Sequence, residues 1–174
     1  MLTIALAGNP NCGKTSLFNL LTKSRQHIGN WPGVTVEKKE GTLKFKGESY
    51  KVIDLPGTYS LGAYSEDEIV ARNYILKDKP DVVINVVDAT NLERNLYLTT
   101  QLIEMGANVV IALNMIDQAE ALNIEIDTNK LSKRLGVPII KTSALKNRGI
   151  EELIETSIHS KKNEKLININ YGED

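Results

Sequence analysis

The stretch Gly8-Asn9-Pro10-Asn11-Cys12-Gly13-Lys14-Thr15 indicates the fold of this 174-residue chain. It matches the pattern G-x-x-x-x-G-K-[ST], in which backbone N–H groups surround the phosphates of a nucleotide. The two glycines accept the positive φ and the close approach to an anion that this wrap requires. A strand-like apolar run precedes the loop and helical spacing follows it, so the loop opens a helix whose positive end faces the anion. We expect Lys14 on the β- and γ-phosphates and Thr15 on Mg²⁺; a glycine turn between core elements is the alternative.

A second motif, Asn114-Met115-Ile116-Asp117, follows the apolar run at 109–113. Guanine presents N1–H and N2–H₂ donors on one edge, and an ionised carboxylate accepts both, whereas adenine offers no matching pair. We assign this contact to Asp117 and expect Asn114 to tie neighbouring loops to the base. Ser143-Ala144 would present a backbone N–H to guanine O6. The alternative is that Asn114 and Asp117 are only a helix N-cap and a first-turn acid.

Two segments between these motifs are candidates for sensing the γ-phosphate. Asp54-Leu55-Pro56-Gly57 is a D-x-x-G element, in which Asp54 would hold Mg²⁺ through water and Gly57 would offer its backbone N–H to the phosphate. Thr35 can supply a hydroxyl to Mg²⁺ only if its loop folds over the nucleotide. We call residues 28–37 the first switch and residues 57–66 the second switch, because loss of the γ-phosphate would release both.

Composition and charge restrict the function classes. At 41% hydrophobic residues, the chain can bury one substantial core. Lysine and arginine number 21 against 22 acids, so no global basic field invites nucleic acid or an anionic membrane. The single cysteine, Cys12, cannot form an internal disulfide, which agrees with a reducing compartment. No apolar run is long enough to cross a bilayer, and we expect this chain by itself to be soluble.

The order of elements predicts an α/β, Ras-like fold with a six-stranded, mostly parallel sheet, one antiparallel strand and helices on both faces. Lys46-Gly47-Glu48 reads as a hairpin turn, and Gly136 is placed to end a helix. Ligand loops would gather at the carboxyl ends of the strands. The predicted strands are 2–7, 36–46, 49–54, 81–87, 108–114 and 137–141, and the predicted helices are 14–24, 66–77, 91–105, 128–135 and 149–160.

The motifs together resemble a known family. Their order is that of translation-factor-like small GTPases, and the stretches at 8–15, 29–37, 54–61 and 114–117 are similar to the N-terminal G domain (GTP-binding domain) of FeoB, the prokaryotic ferrous iron transporter. The resemblance covers residue 2 to about 162. It implies a cytosolic GTPase domain joined to a helical domain and then to a membrane domain that moves Fe²⁺. We expect residues 1–162 to be the G domain and 163–174 to be a loosely held polar tail that starts a truncated helical domain.

The resemblance also implies a source of catalytic charge. Thr58 stands where Ras-like GTPases carry a water-positioning glutamine, so a side-chain amide cannot orient water from there. In the family and in related potassium-activated GTPases, the asparagine that matches Asn11 helps to bind K⁺, with backbone carbonyls here expected from Gly29 and Trp31. K⁺-stimulated hydrolysis without an arginine finger follows as a hypothesis; a loop residue that caps its own backbone is the alternative for Asn11. Trp31 could stack on the nucleotide or pack against its own loop, and we favour packing.

The expected partners are GTP and GDP, the protein's own helical and transmembrane domains, and a second copy of the chain, without nucleic acid. The expected location is the cytoplasmic face of the cell membrane. Two other functions remain open: an RNA-associated GTPase of ribosome or tRNA maturation, and a GTP-sensing module with negligible turnover. The predicted catalytic residues are Asn11, Lys14, Thr35 and Gly57, and the predicted nucleotide-binding residues are Gly8, Asn9, Pro10, Asn11, Cys12, Gly13, Lys14, Thr15, Ser16, Asn114, Met115, Asp117, Ser143, Ala144 and Leu145.

Overall fold

The computed structural model describes residues 1–23 and 25–171, with side chains up to residue 160. Seven strands form one sheet in the order β2-β3-β4-β1-β5-β6-β7. The strands are β1 (Thr3–Gly8), β2 (Gln26–Asn30), β3 (Glu37–Phe45), β4 (Glu48–Asp54), β5 (Val82–Asp88), β6 (Val109–Asn114) and β7 (Ile139–Lys141). The helices are α1 (Lys14–Thr22), α2 (Glu66–Asn73), α3 (Leu92–Glu104), α4 (Ile116–Ala121), α5 (Thr128–Leu135) and α6 (Ile150–Tyr171), with a π-helical turn at Tyr74–Asp78 and a 3₁₀ turn at Ala89–Asn91.

Alternation along β1 shows why helices cover both faces of the sheet. Successive side chains of a strand point to opposite faces. Ile4 and Leu6 join a buried cluster with Phe18 of α1, whereas Ala5 lies in a second cluster with Leu98 of α3. Both clusters are fully buried, so the central strand is apolar throughout. The predicted α/β fold with helices on both faces is confirmed.

The predicted strand count was wrong by one. β2 adds a seventh strand at the edge, where 26–30 pairs with 37–41 of β3. Its sequence, QHIGN, has no apolar alternation and most of it is exposed, so only its pairing with β3 defines it. β3 runs against both of its neighbours, β2 and β4, and the other neighbouring pairs are parallel. The prediction of one antiparallel strand is therefore confirmed.

Turn chemistry fixes the predicted hairpin. Lys46 and Gly47 both have positive φ, 49° and 81°, and they join the paired residues Phe45 and Glu48. Two successive positive φ values make the hairpin turn whose twist matches the flanking strands. Gly136 ends α5 with φ 74°, as predicted.

The helices depart from the prediction at two places. α4 begins directly after β6 and is only six residues long, too short for its periodicity to be read from the sequence. α6 continues to Tyr171, beyond the predicted end at residue 160, into the stretch expected to be loosely held. Residues 172–174 of the predicted tail lie outside the described residues. Within the described part of the chain, no helix combines the length and apolarity that a membrane span requires.

Candidate nucleotide-binding site

The predicted phosphate loop lines a cavity of about 530 Å³ next to the carboxyl end of β1. β4 pairs with β1 in parallel and β6 runs parallel to both, so Gly8, Asp54 and Asn114 end their strands at the same edge of the sheet. Ligand loops therefore gather there, as expected for a doubly wound sheet. The cavity is lined by Asn9, Pro10, Asn11, Gly13, Lys14, Thr15, Ser16, Gly57 and Met115.

The two glycines of the loop are required for different reasons. Gly13 has φ 87°, and a Cβ built on it would lie 2.2 Å from Asn114 Nδ2. Gly8 is not among the residues with positive φ; a Cβ there would lie 2.8 Å from both Cys12 Sγ and Val86 O. Gly8 thus permits close approach without the positive φ that the sequence predicted, and Asn11 takes a positive φ of 65° instead.

The lysine of the phosphate loop forms an ion pair with the aspartate at the end of β4. Lys14 Nζ is paired with Asp54 Oδ1, and both residues are buried. Lys14 is also the first residue of α1, whose N-terminus has no side-chain cap among the described residues. Uncapped N–H groups and the helix dipole favour an anion at this point. The structure therefore brings Lys14, predicted for the phosphates, together with Asp54, one of the three residues predicted for Mg²⁺.

Asn114 connects three loops of the site. Its Nδ2 donates to Cys12 O at 3.0 Å, and its Oδ1 accepts from Thr142 Oγ1 at 3.2 Å and from Ala144 N at 3.0 Å. The residue is 2% exposed. The predicted tie between neighbouring loops is present, and it is made entirely of buried hydrogen bonds. Thr142, which the sequence reasoning missed, is signalled only by its position before Ser143 at the end of β7.

The turn after β7 is held in a specific shape. Ser143 N donates to Arg148 O at 3.0 Å, and Ala144 N is taken by Asn114, so neither of these N–H groups points to a base in this structure. Leu145, the remaining predicted member of the turn, is 79% exposed. The O6 contact predicted for Ser143-Ala144 would require one of these N–H groups to leave its present partner.

The residue predicted to read guanine, Asp117, lies on the first turn of α4. Met115 adopts φ 60° between β6 and α4 and lines the cavity. Asp117 follows in the first helical turn and is partly exposed. This position fits both the base contact and the helix-start alternative for the carboxylate, whereas Asn114 makes no cap for α4.

The second switch rests directly on the phosphate loop. Thr58 N donates to Gly8 O at 3.0 Å, and a Cβ on Gly57 would lie 3.3 Å from Pro10 Cα and N. Thr58 is buried, at 5% exposure. A side chain at residue 57 would therefore be tight against the loop, and Pro10 would have to shift to accommodate it.

The first switch is not assembled around the cavity. Gly29 pairs with Lys38 in the β2–β3 ladder, and Trp31 O accepts from Val34 N at 3.2 Å. Thr35 is exposed and does not line the cavity. Trp31 packs edge-on against Tyr74 of the π-helical turn, with ring centroids 5.5 Å apart, so its ring is packed as expected, but this contact is with another segment and not with its own loop. Three predicted metal ligands, Gly29, Trp31 and Thr35, are thus kept apart from the loop in this conformation.

The donor chemistry of the site suits Mg²⁺ better than it suits K⁺ in this conformation. A hydroxyl at Thr15 and a carboxylate at Asp54 are oxygen ligands of the kind that Mg²⁺ takes; Thr15 lines the cavity and Asp54 is paired with Lys14. Asn11 lines the cavity and offers an amide oxygen. The carbonyls of Gly29 and Trp31 would have to leave the β2–β3 ladder and the turn at 31–34 to complete a K⁺ site.

Burial controls the thiol in the loop. Desolvation raises the pKa of Cys12 to about 11, although the neighbouring Lys14 opposes the shift. The thiol is therefore neutral at pH 7, which argues against a reactive cysteine. Cys12 acts here as a small buried side chain.

Known proteins match this arrangement. Residues 2–157 match the family model described as Ferrous iron transport protein B. The Fe(2+) transporter FeoB of Escherichia coli (strain K12) is 52% identical over 176 residues, covering 99% of this chain and 23% of its own length. The present chain thus spans less than a quarter of that relative.

Two solved structures share both fold and sequence. A mutant of S. thermophilus NFeoB bound to mGDP is 55% identical with a TM-score of 0.88, over 91% of this chain and 61% of that one. The cytosolic domain of the T. maritima FeoB iron transporter in its GMPPNP form is 50% identical with a TM-score of 0.89, over 91% and 63%. With a family match over most of its length, this chain belongs to the FeoB family and corresponds to its N-terminal G domain.

Proposed function

We propose that this chain binds GTP with Mg²⁺, hydrolyses it to GDP and phosphate, and so regulates Fe²⁺ transport by a longer protein of which it is the G domain. The observation that carries the nucleotide part is the meeting of Lys14, Asp54 and Asn114 at one edge of the sheet. The relatives named above bind mGDP and GMPPNP. Iron transport rests on family membership.

The phosphate half of the site would work by exchange of partners. Lys14 and Asp54 neutralise each other in this structure. A bound triphosphate would take Lys14, and Asp54 and Thr15 would then turn to Mg²⁺, which supplies neutralisation of the charge on the β- and γ-phosphate oxygens. Gly57, already against Pro10, would offer its N–H to the γ-phosphate without side-chain obstruction.

Guanine recognition would rest on Asp117 and on the loops that Asn114 holds together. The test is Asp117→Asn, which replaces an acceptor-only carboxylate by an amide that has one acceptor and two donors. We expect affinity for GDP to fall and affinity for xanthosine diphosphate, which carries a carbonyl at C2, to rise. Unchanged preference for GDP would contradict the assignment, and would leave Asp117 as a first-turn acid of α4.

Hydrolysis would require the first switch to leave the position it has here. Thr35 would then reach Mg²⁺, and the carbonyls of Gly29 and Trp31 would join Asn11 around K⁺, which supplies the positive charge that an arginine finger supplies elsewhere. Asn11 lines the cavity and suits that role chemically. Catalysis would thus be completed within the chain.

The deciding experiment is single-turnover GTP hydrolysis by the purified chain with Mg²⁺ in matched KCl and NaCl buffers. We expect a large advantage in KCl for the wild-type chain and none for Asn11→Ala. Equal but appreciable rates in both salts would remove the K⁺ hypothesis only. Negligible rates in both would overturn the GTPase proposal and favour a GTP-sensing module.

The domain arrangement is also a proposal. Residues 1–162 would form the G domain, and 163–174 would lead into the helical domain that connects to the membrane domain. Residues 163–171 continue α6, so the connection would be helical from its start. The nucleotide state of the two switches would be passed along this connection, and the domain would lie on the cytoplasmic face of the membrane.

A further inference from the structure

Asn9 is buried without a hydrogen-bond partner. It is 3% exposed, and neither Oδ1 nor Nδ2 is bonded to any residue that the structure describes. Buried asparagines elsewhere are bonded: Asn85 donates to Ala7 O, Asn95 to Asn91 O, and Asn114 to Cys12 O. An unpaired buried amide costs free energy, so such a group calls for an explanation.

The other buried side-chain atom without a partner in the described chain is Trp31 Nε1. Asn9 belongs to the phosphate loop and Trp31 to the first switch. Both belong to the parts of the site that GTP would draw together. The unpaired polar atoms of the described chain therefore lie in the two segments that are expected to change conformation when GTP binds. This suggests that they form hydrogen bonds in the GTP-bound conformation.

The neighbours of Asn9 identify what its amide can reach. The residues on either side of Asn9 both contact the second switch. Gly8 O accepts a hydrogen bond from Thr58 N at 3.0 Å, and a Cβ on Gly57 would lie 3.3 Å from Pro10. Asn9 and Gly57 also line the same cavity. The start of the second switch is therefore the peptide segment adjacent to Asn9.

The two ends of this segment are held differently. Thr58 N is bonded to the phosphate loop, and Leu61 N donates to Gln101 Oε1 of α3 at 2.8 Å. The peptides between these two bonds can shift while both anchors stay. An asparagine side chain offers one acceptor and two donors, which complement the C=O and N–H groups of such a segment.

We propose that Asn9 is a positioning residue of the second switch. In the GTP-bound protein, its Oδ1 accepts from a backbone N–H of the segment 57–60 and its Nδ2 donates to a backbone carbonyl there. These bonds fix the Gly57 N–H on the γ-phosphate. The inference rests on the proposed function, because it requires a γ-phosphate that draws the segment in, and it gives Asn9 a side-chain role beyond its backbone contribution to the phosphate loop.

The test compares Asn9→Leu with wild type in the purified chain. Leucine has the same number of side-chain heavy atoms, branched at the same carbon, and no polar atom, so it removes both hydrogen bonds without opening a cavity. We expect affinity for GMPPNP to fall about tenfold more than affinity for GDP, because the bonds exist only with the γ-phosphate. Hydrolysis at saturating GTP should fall as well. Thermal unfolding without added nucleotide should occur at the same or a higher temperature, because an unpaired buried amide has been removed.

Asn108→Leu is the matched control. Asn108 follows α3 and precedes β6, and its amide is bonded on both sides, by Nδ2 to Asp81 O and by Oδ1 to Ser160 Oγ, each at 3.1 Å. The same substitution should lower the unfolding temperature there and leave the ratio of GMPPNP to GDP affinity unchanged. If Asn9→Leu does not fold, Asn9→Ala carries the same comparison of affinities.

Each outcome decides one question. An unchanged ratio of GMPPNP to GDP affinity in the Asn9 variants overturns the positioning role. Equal losses for both nucleotides, or a lower unfolding temperature like that of Asn108→Leu, also overturn it, because they indicate an amide that is satisfied in every state. A wild-type chain that discriminates GMPPNP from GDP but does not hydrolyse GTP overturns the proposed GTPase activity and leaves the Asn9 comparison valid.

Discussion

Asn114 at the guanine end of the site makes three hydrogen bonds to neighbouring loops, whereas Thr35 in the first switch is exposed and does not line the cavity. The phosphate loop, the start of α4 and the turn after β7 are therefore locked together. The first switch instead has its own set of contacts, through the β2–β3 ladder and the packing of Trp31 on Tyr74.

This difference separates two tasks of the proposed GTPase. Contacts to guanine and to the α- and β-phosphates are common to GDP and GTP. The phosphate loop, the start of α4 and the turn after β7, which we call the rigid half of the site, can supply them. Detection of the γ-phosphate needs a segment that has two conformations. We assign this task to the first switch and call it the moving half of the site. Changes in the rigid half should therefore affect both nucleotides equally, and changes in the first switch should affect the balance between them.

The largest effect is expected for Gly13→Ala. The new Cβ would lie 2.2 Å from Nδ2 of Asn114, whose side chain is held in place by its hydrogen bonds. Residue 13 would also keep a φ of 87°, which alanine rarely adopts. Loss of the Asn114 bonds and backbone strain together amount to about 4 kcal/mol, or about a thousandfold in affinity for GDP and GMPPNP alike. Calorimetric titration would measure this.

Gly33→Ala is the matched control for Gly13→Ala, because Gly33 also has positive φ, 77°, but no atom within 4 Å of its Cβ position. It should cost only the strain of about 1 kcal/mol. Equal losses of GDP affinity in the two variants would refute the contrast between the two halves of the site.

Asn114→Ala should be next in size. It removes three buried hydrogen bonds at about 1 kcal/mol each, so affinity for both nucleotides should fall about a hundredfold. Fluorescence titration with a labelled GDP and competition by GMPPNP would give both affinities. A loss restricted to GMPPNP would show that Asn114 belongs to the moving half.

Trp31→Ala should lower the free energy of unfolding by about 2–3 kcal/mol, less than for a central core residue, because a loop can relax around the lost ring. Trp31→Phe keeps a ring against Tyr74 and removes the unpaired N–H, so its effect should be below about 1 kcal/mol. Denaturant unfolding would compare the two variants. GDP affinity should stay within about twofold in both, and a larger loss would place Trp31 in the rigid half.

A last expected effect, with no substitution, is on stability at alkaline pH. Burial raises the pKa of Cys12 to about 11 from 9.0 and that of Tyr74 to about 12 from 10.0. Both folded-state pKa values lie above the unfolded ones, so the stabilising contribution is complete below pH 9 and is lost as pH rises through 11 to 12. We expect a loss of about 2 kcal/mol by pH 11 from Cys12 and of about 1 kcal/mol from Tyr74.

Two variants would show how much of the loss of stability at alkaline pH comes from each of these residues. Cys12→Ser in the phosphate loop should remove its earlier part, and Tyr74→Phe against the first switch its later part. Denaturant unfolding at a series of pH values would show this. Identical pH profiles for wild type and Cys12→Ser would contradict the burial of the thiol.

The sequence predicts the rigid half well and the moving half poorly. Glycine spacing, a lysine and the asparagine of the N-x-x-D motif predict a site at one edge of the sheet, and Gly13, Lys14 and Asn114 do lie there. β2 could not be predicted, because its residues are exposed and only the pairing with β3 makes them a strand. The role of Thr142 and the unpaired amide of Asn9 depend on contacts between distant segments, which no local pattern reveals.

The pairing of Lys14 with Asp54 has a thermodynamic consequence for the proposed ligands. Phosphate without a cation would take Lys14 and leave Asp54 as a buried charge facing other negative charges. A cation without phosphate would take Asp54 and leave Lys14 facing it. Either ligand alone therefore leaves one buried charge without an opposite charge, which is costly in free energy. The two ligands together give both Lys14 and Asp54 an opposite charge. Metal and nucleotide should accordingly strengthen each other's binding, by the same factor in each direction.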